Sequence, residues 1–395
     1  MGDAFTAFLV ALMLLAVLTR ETFVVILLYL FVGSLVAGRW WSSQVVSRIR
    51  FHRQFDAKVF PGETISVQVE VENRSFLPAV WLRVQDYYPL ELAEVKTFQQ
   101  VISLGPRQKT RLRYTLKARK RGYYAIGPLH VTSGDLLGLS SERSSEGGSD
   151  YLTVYPRVIP LNSVKLPSRS PMGTLKTTQP IFEDPARPMG TRDYQAGDSL
   201  RRIDWKATAS TGHLQTRLFE PSIALETMIF LNLNTADYHY RSRFDATELA
   251  IVAAASLGNW VVAQRQAVGM ITNAFDPLAV DNQAVPLFPR KGRPHLMRIL
   301  EILARARAAE TTPFTALLST NRVKLSWGTT LLIVTGSADQ SLFDELIQAR
   351  RAGLNPVLIL CGEHPGHRQA WQMGKLFHIP VFIFLHEQDL DLWRR

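Results

Sequence analysis

The chain has one cysteine, Cys361, in 395 residues. A single thiol excludes a disulfide framework and fits a reducing compartment. No Cys/His cluster has zinc spacing, and no glycine loop has the phosphate-binding pattern. Ser170 and Ser210 sit in no nucleophile-elbow sequence. His213, His239, His295, His364, His367, His378 and His386 are scattered, with no nucleophile or orienting carboxylate at a recognised spacing. The expectation is therefore a protein that is not an enzyme and carries no cofactor. Acid is scarce as well: 34 Asp and Glu stand against 45 Lys and Arg, a formal net charge of +11. Such a surface suits acidic lipid, an acidic partner or nucleic acid. Without a helix-turn-helix, zinc finger or aromatic stacking platform, nucleic acid is not expected.

What the chain does have begins with two charge-free runs, Ala4 to Thr19 and Thr22 to Gly38, separated by Arg20 and Glu21. As helices they would cover about 24–26 Å each, slightly short of the roughly 30 Å hydrocarbon core. Two membrane spans joined by a tight turn fit better than a cleaved signal, because the start carries Asp3 and no basic residue. Arg39, Arg48, Arg50 and Arg53 follow the second run with no acid among them. The positive-inside rule then places the rest of the chain in the cytoplasm, below the plasma (inner) membrane, and Trp40 and Trp41 fall where an interfacial aromatic belt would lie. This hairpin occupies 1–40.

From 45 to 155 the pattern has period two. Thr64 to Asn73 alternates strictly between Pro61-Gly62 and Asn73-Arg74-Ser75, Val80 to Val84 reads as the next strand, and Lys109, Arg111 and Arg113 alternate with Leu112, Tyr114 and Leu116. Short alternating strands with turn signals predict an all-β, immunoglobulin-like sandwich. Arg107 to Arg121 holds no acid. It reads either as a solvated strand face kept charged against edge pairing or as a contact for anionic lipid. Ser140 to Asp150 reads as a flexible loop, and 156–189, rich in proline, as an extended linker.

The C-terminal stretch, 190–395, opens on Gly190-Thr191-Arg192-Asp193-Tyr194-Gln195-Ala196-Gly197-Asp198-Ser199-Leu200-Arg201-Arg202-Ile203-Asp204-Trp205. Locally this is a turn at Gly197 and a helix capped by Asp198, with Leu200, Ile203 and Ala207 on one face and a stop at Gly212. Arg192, Arg201 and Arg202 among Asp193, Asp198 and Asp204 suggest an ion-pair network. The same three carboxylates carry the alternative of a hydrolase. Beyond it, apolar strands at Thr227–Leu233, Ala267–Thr272, Thr329–Thr335, Pro356–Leu360 and Val381–Leu385 alternate with helical stretches, predicting an α/β doubly wound parallel sheet. Leu249 to Ala263 is apolar enough to mimic a span but reads as a buried core helix.

The 190–205 stretch fills every fixed position of Arg-x-Tyr-x-x-Gly-Asp-x-x-Arg-x-Ile-x-Trp: Arg192, Tyr194, Gly197, Asp198, Arg201, Ile203 and Trp205. It thereby resembles the domain of unknown function 58 family of bacterial membrane-anchored proteins. Arg121-Gly122-Tyr123 and Gly127-Pro128 resemble that family too, while Leu136 and Leu137 replace its Pro-Phe before Gly138-Leu139. The resemblance implies a von Willebrand factor A-like C-terminal domain and a protein partner, a MoxR-type AAA+ ATPase. Arg192, Tyr194, Gly197, Asp198, Arg201, Ile203, Asp204 and Trp205 are either structural pins or the partner-binding site. Domains of that type hold a divalent cation on an Asp-x-Ser-x-Ser loop. Here the corresponding loop is taken as Asn234, Ala236 and Tyr238, a degenerate set that predicts no metal.

Overall fold

The computed structural model describes residues 2–19, 21–133, 143–162, 164, 183–195, 200–221 and 226–393. The chain divides into two compact units, Met1–Arg157 with Leu300–Arg305, and Val158–Ile299 with Ala306–Arg395.

The first unit starts with helices α1 (Gly2–Thr19) and α2 (Thr22–Arg48). They pair through an edge-to-face contact of Phe8 and Phe31, ring centroids 5.5 Å apart. Helix α2 is apolar enough to cross a membrane, and its apolar window is unburied. It also continues ten residues past the expected end of the second run. Its last two turns bury Ser42, Val45 and Val46, and the Trp41 indole N–H donates to the Pro78 carbonyl at 3.1 Å. Trp41 thus packs on the β core; Trp40 is 53% exposed.

Ten strands follow: β1 (Ile49–Gln54), β2 (Lys58–Val59), β3 (Thr64–Asn73), β4 (Ala79–Tyr87), β5 (Thr97–Leu104), β6 (Lys109–Lys117), β7 (Gly122–Ile126), β8 (Leu129–Ser133), β9 (Arg143–Glu146) and β10 (Asp150–Val154). They form sheets ordered β1-β3-β6, β2-β10-β7 and β5-β4-β8-β9. The alternation read in β3 is real: Ile65, Val67, Val69 and Val71 point inward and share one core with Leu116 of β6 and with Leu82, Val84, Val131 and Leu152 of the other sheets. On the outer face of β6, Lys109 and Arg111 pair with Glu70 and Glu72 of β3, so its basic residues are a solvated, cross-strand-paired face. Strand β9 occupies part of the expected flexible loop; Asp135 to Leu139 lie outside the described residues.

Arg53, counted among the basic residues after the second run, is a buried hub. Its guanidinium grips both oxygens of Asp86 at 2.9 and 2.6 Å, donates to the Ile126 carbonyl at 3.0 Å and reaches Asp150 at 2.6 Å. The Tyr114 hydroxyl donates to Asp86 at 2.6 Å. Burial works against the Arg53 charge, but these acceptors hold its pKa above the ordinary value. Burial, with the Asp86 charge beside it, pushes the Tyr114 phenol up.

In the second unit the start of the expected linker is packed: Ile159, Leu161 and Val164 are buried, and the Ile159 N–H donates to Ser256 at 2.9 Å. The linker's end is a strand. Strand β11 (Glu183–Asp193) pairs antiparallel with β12 (Gln215–Pro221), with the short helix α3 (Trp205–Thr211) between them. The remaining elements are β13 (Glu226–Leu231), α4 (Arg243–Ala263), β14 (Ala267–Thr272), β15 (Leu287–Arg290), α5 (Arg293–Arg305), α6 (Phe314–Arg322), β16 (Thr330–Thr335), α7 (Gln340–Arg351), β17 (Asn355–Cys361), α8 (His367–Leu376) and β18 (Val381–Phe384). One sheet is ordered β15-β14-β13-β16-β17-β18. It is parallel except for the edge strand β15.

Continuous apolar strands need cover on both faces, and the second unit supplies it. Met228, Phe230, Leu331 and Ile333 pack with Phe343 and Leu346 of α7. Ile229 faces the other way, toward Gly258 of α4. Most of α4's apolar window is buried, as expected for a core helix. The chain runs from central β13 outward to β14, then crosses to β16 on the other side. The strand order therefore reverses at β13, where sheets of this kind open a crevice at the carboxyl ends of their strands.

Candidate functional site

Two places collect the singled-out residues: the β11–β12 hairpin and the carboxyl end of β13.

In the hairpin, Thr191, Arg192 and Asp193 lie opposite Arg217, Thr216 and Gln215. Gly197 and Asp198, the expected turn and cap, lie outside the described residues. Leu200–Arg202 form a 3-10 turn, and α3 is capped by Asp204. Asp204 Oδ1 accepts the N–H groups of Lys206 and Ala207 at 3.0 and 3.1 Å, and Oδ2 accepts from Arg217 at 3.0 Å. Those backbone bonds first, and then Arg217, hold its pKa below the ordinary carboxylate value. Asp193 accepts from the Gln215 side chain, and Arg192 donates to the Asp193 carbonyl at 3.1 Å. The Tyr194 N–H donates to Leu214. Gly212 ends α3 in the left-handed region, φ 78°, which a Cβ disfavours.

The expected apolar face of Leu200, Ile203 and Ala207 does not form. Ile203 alone of the three is buried, bridging to Thr216. Leu200 is 67% exposed and Trp205 69%. The 3-10 turn and the break at Asp204 rotate them apart. The described carboxylates of this stretch are thus tied to a cap, an arginine and an amide.

At the carboxyl end of β13 the organising residue is Asn232, two positions before the expected Asn234. Its side-chain N–H groups donate to Asp237 at 2.8 Å and Thr335 at 3.0 Å. Its side-chain oxygen accepts the Asn234 N–H at 3.0 Å and the Asn273 amide at 2.9 Å. The Tyr238 hydroxyl donates to its backbone carbonyl at 2.6 Å. Asn273 in turn accepts the Leu233 N–H at 2.7 Å. Asn234 caps a 3-10 turn through the Ala236 N–H. Asn232, Asn273 and Thr335 are almost wholly buried. Burial pushes the Tyr238 phenol well above its ordinary value.

These residues do not fit a divalent cation. The Asn232 oxygen is already an acceptor twice over, its N–H groups face the neighbouring oxygens, and one carboxylate, Asp237, stands nearby. Hard cations want several free anionic oxygens, and among the described residues no three His, Cys, Asp or Glu side chains converge. Beside this knot the His367 ring nitrogen lies 2.9 Å from the Gly336 carbonyl. Burial lowers the His367 pKa, and burial with the nearby His367 and His239 lowers that of His364. Sequence reasoning missed Asn232, Asn273 and Thr335. The available signal was that three neighbouring apolar strands end on, or just before, a small polar residue.

Residues 190–334 match the family described as "Protein of unknown function DUF58". The chain is 23% identical over 268 residues to "Uncharacterized protein YeaD" of Bacillus subtilis (strain 168), which covers 66% of this chain and 63% of that protein's length. Among solved structures, the CARDB domain of the PF1109 protein from Pyrococcus furiosus shares 15% identity over 27% of this chain and 91% of its own, with a TM-score of 0.20. A beta-glucosidase from Listeria innocua shares 12% over 27% of this chain and 16% of its own, with a TM-score of 0.18. Such scores carry no argument about fold or function.

Proposed function

We propose that the protein is a membrane-anchored, non-enzymatic adaptor. In this reading α1 and α2 span the plasma membrane, the β unit is an immunoglobulin-like spacer, and the α/β unit is a von Willebrand factor A-like head without a metal. The head sits in the cytoplasm and binds a protein partner, a MoxR-type AAA+ ATPase. Support for the orientation comes from Arg39, Arg48 and Arg50, exposed after the apolar run that ends at Gly38; Arg53 is buried.

The observation that carries the proposal is the build of the hairpin. Its polar side chains are spent holding one backbone shape, while Trp205 and Leu200 are two-thirds exposed on that shape. Large apolar side chains presented on a pinned scaffold suit a protein interface, where aromatic anchors dominate binding. Trp205→Ala with Leu200→Ala in the full-length chain should weaken binding of the cognate ATPase by at least about tenfold, roughly 1.4 kcal/mol. Folding stability should stay within the ±0.5 kcal/mol or so usual at exposed sites. Undiminished affinity in that variant, or no measurable complex with the unsubstituted chain, would count against the reading.

A further inference from the structure

One end of the β unit is built from three stretches that are distant in sequence. The last turns of α2 meet the β3–β4 loop through Trp41 and Pro78 and through the Arg74 N–H, which donates to the Arg48 carbonyl at 3.1 Å. The β5–β6 loop joins them. The Arg107 N–H donates to Ser75 at 3.2 Å, and the buried Asn73 amide donates to both Leu77 and Gly105, at 2.8 and 3.0 Å. Residues 39–50, 74–80 and 105–108 together hold Arg39, Arg48, Arg50, Arg74 and Arg107 and no acid. Among the described residues Glu72 pairs into this end, at 3.0 Å from Arg74. Among the arginines stand exposed rings: Phe76, 56% exposed with the Arg48 guanidinium 5.9 Å from its centroid, and Trp40.

The depth of this end follows from α2. If the apolar run to Gly38 crosses the hydrocarbon core, Trp41 lies only about 4.5 Å further along the axis. The head-group layer on each side is about 5–8 Å thick. The loop that Trp41 touches therefore reaches the head groups. Aromatic rings and arginines are the residues that settle at that level, the rings in the interface and the cations on lipid phosphates.

We infer that this end of the β unit is a second membrane contact. Phe76 and Trp40 enter the interface, and Arg39, Arg48, Arg74 and Arg107 engage anionic phospholipid. The inference rests on reading α2 as a span, and it moves the lipid contact from the β6 face, where Lys109 and Arg111 pair with Glu70 and Glu72, to the loops beside the helix.

The test uses the full chain reconstituted in bilayers of neutral or mixed neutral and anionic phospholipid. A nitroxide label is placed by Phe76→Cys, Val95→Cys or Tyr29→Cys; the native Cys361 is 1% exposed and stays unlabelled. Val95 lies past the far end of β4, about 27 Å along the strand, and Tyr29 lies within the apolar run. Position 76 should collide several-fold less often with a water-soluble nickel reagent than position 95 in anionic bilayers. That protection should fall in neutral bilayers and in the Arg74→Glu, Arg107→Glu variant. Position 76 as accessible as 95, with position 29 shielded, overturns the inference and leaves the span standing. Position 29 open to the reagent overturns both.

Discussion

The two units each bury a polar hub, and the hubs are built on opposite principles. The β unit buries full charges: Arg53 and Asp86, tied to Tyr114, the Ile126 carbonyl and Asp150. The α/β unit buries neutral groups: Asn232, Asn273 and Thr335. A buried ion pair adds little net stability but binds strongly against loss of either partner, because the survivor is left charged in a poor solvent. A buried amide carries no such stake and loses only its hydrogen bonds. The charged hub pins strands that meet from three sheets. The neutral hub fixes loop geometry at a sheet's switch point without leaving an anionic pocket there.

Three measurements sharpen that contrast. Asp86→Ala should have the largest effect, about 3–5 kcal/mol of destabilisation on denaturant unfolding, since Arg53 would be left without its main counter-charge. Replacing both partners by apolar residues should recover much of that loss; no recovery would mean the hub's worth lies in geometry rather than in charge compensation. Asn232→Asp should cost less, about 1–3 kcal/mol, because two donors vanish and a carboxylate arrives beside Asp237. If the substituted protein is as stable as the original, Asn232 is not the organiser of the switch point.

The smallest effect is a pH dependence. His364 and His367 have folded-state pKa values below the ordinary 6.5. The unfolded chain therefore binds more protons than the folded one just below that pH, and stability falls as pH drops from about 7 through the depressed values. It is fully present above 6.5. His367→Gln should flatten the melting-temperature profile between pH 7 and 5, and an unchanged slope would assign the effect elsewhere.

Much of the architecture was legible because it rests on local periodicity. The alternation in Thr64–Asn73 and the apolar runs at Met228–Leu231 and Leu331–Val334 each name their own burial. The hubs were not legible, because their members are far apart in sequence. Arg53 sits in β1 and its burial is decided by Asp86, 33 residues away in the sequence. The helix cap was misplaced because Asp198 and Asp204 are equally good N-caps by residue type. Strand β11 was hidden by Pro185 and Pro188, which argue against a central strand but are tolerated at an edge or a bulge; its pairing with β12 shows irregularities on both sides of Pro188. The exposure of Trp205 was also unreadable, since tryptophan is by residue type highly buried on average.

The unbroken course of α2 has a mechanical consequence. It is a single rod of 27 residues from Thr22 to Arg48, about 40 Å long, with its lower end fastened to the β unit through Trp41, Val45 and Val46. No hinge separates rod from spacer. For a chain anchored as proposed, a bilayer that thickens or thins changes the lean of the rod and swings the β unit through the same angle. In that proposed arrangement, lipid composition sets the orientation of the β unit through the continuous helix.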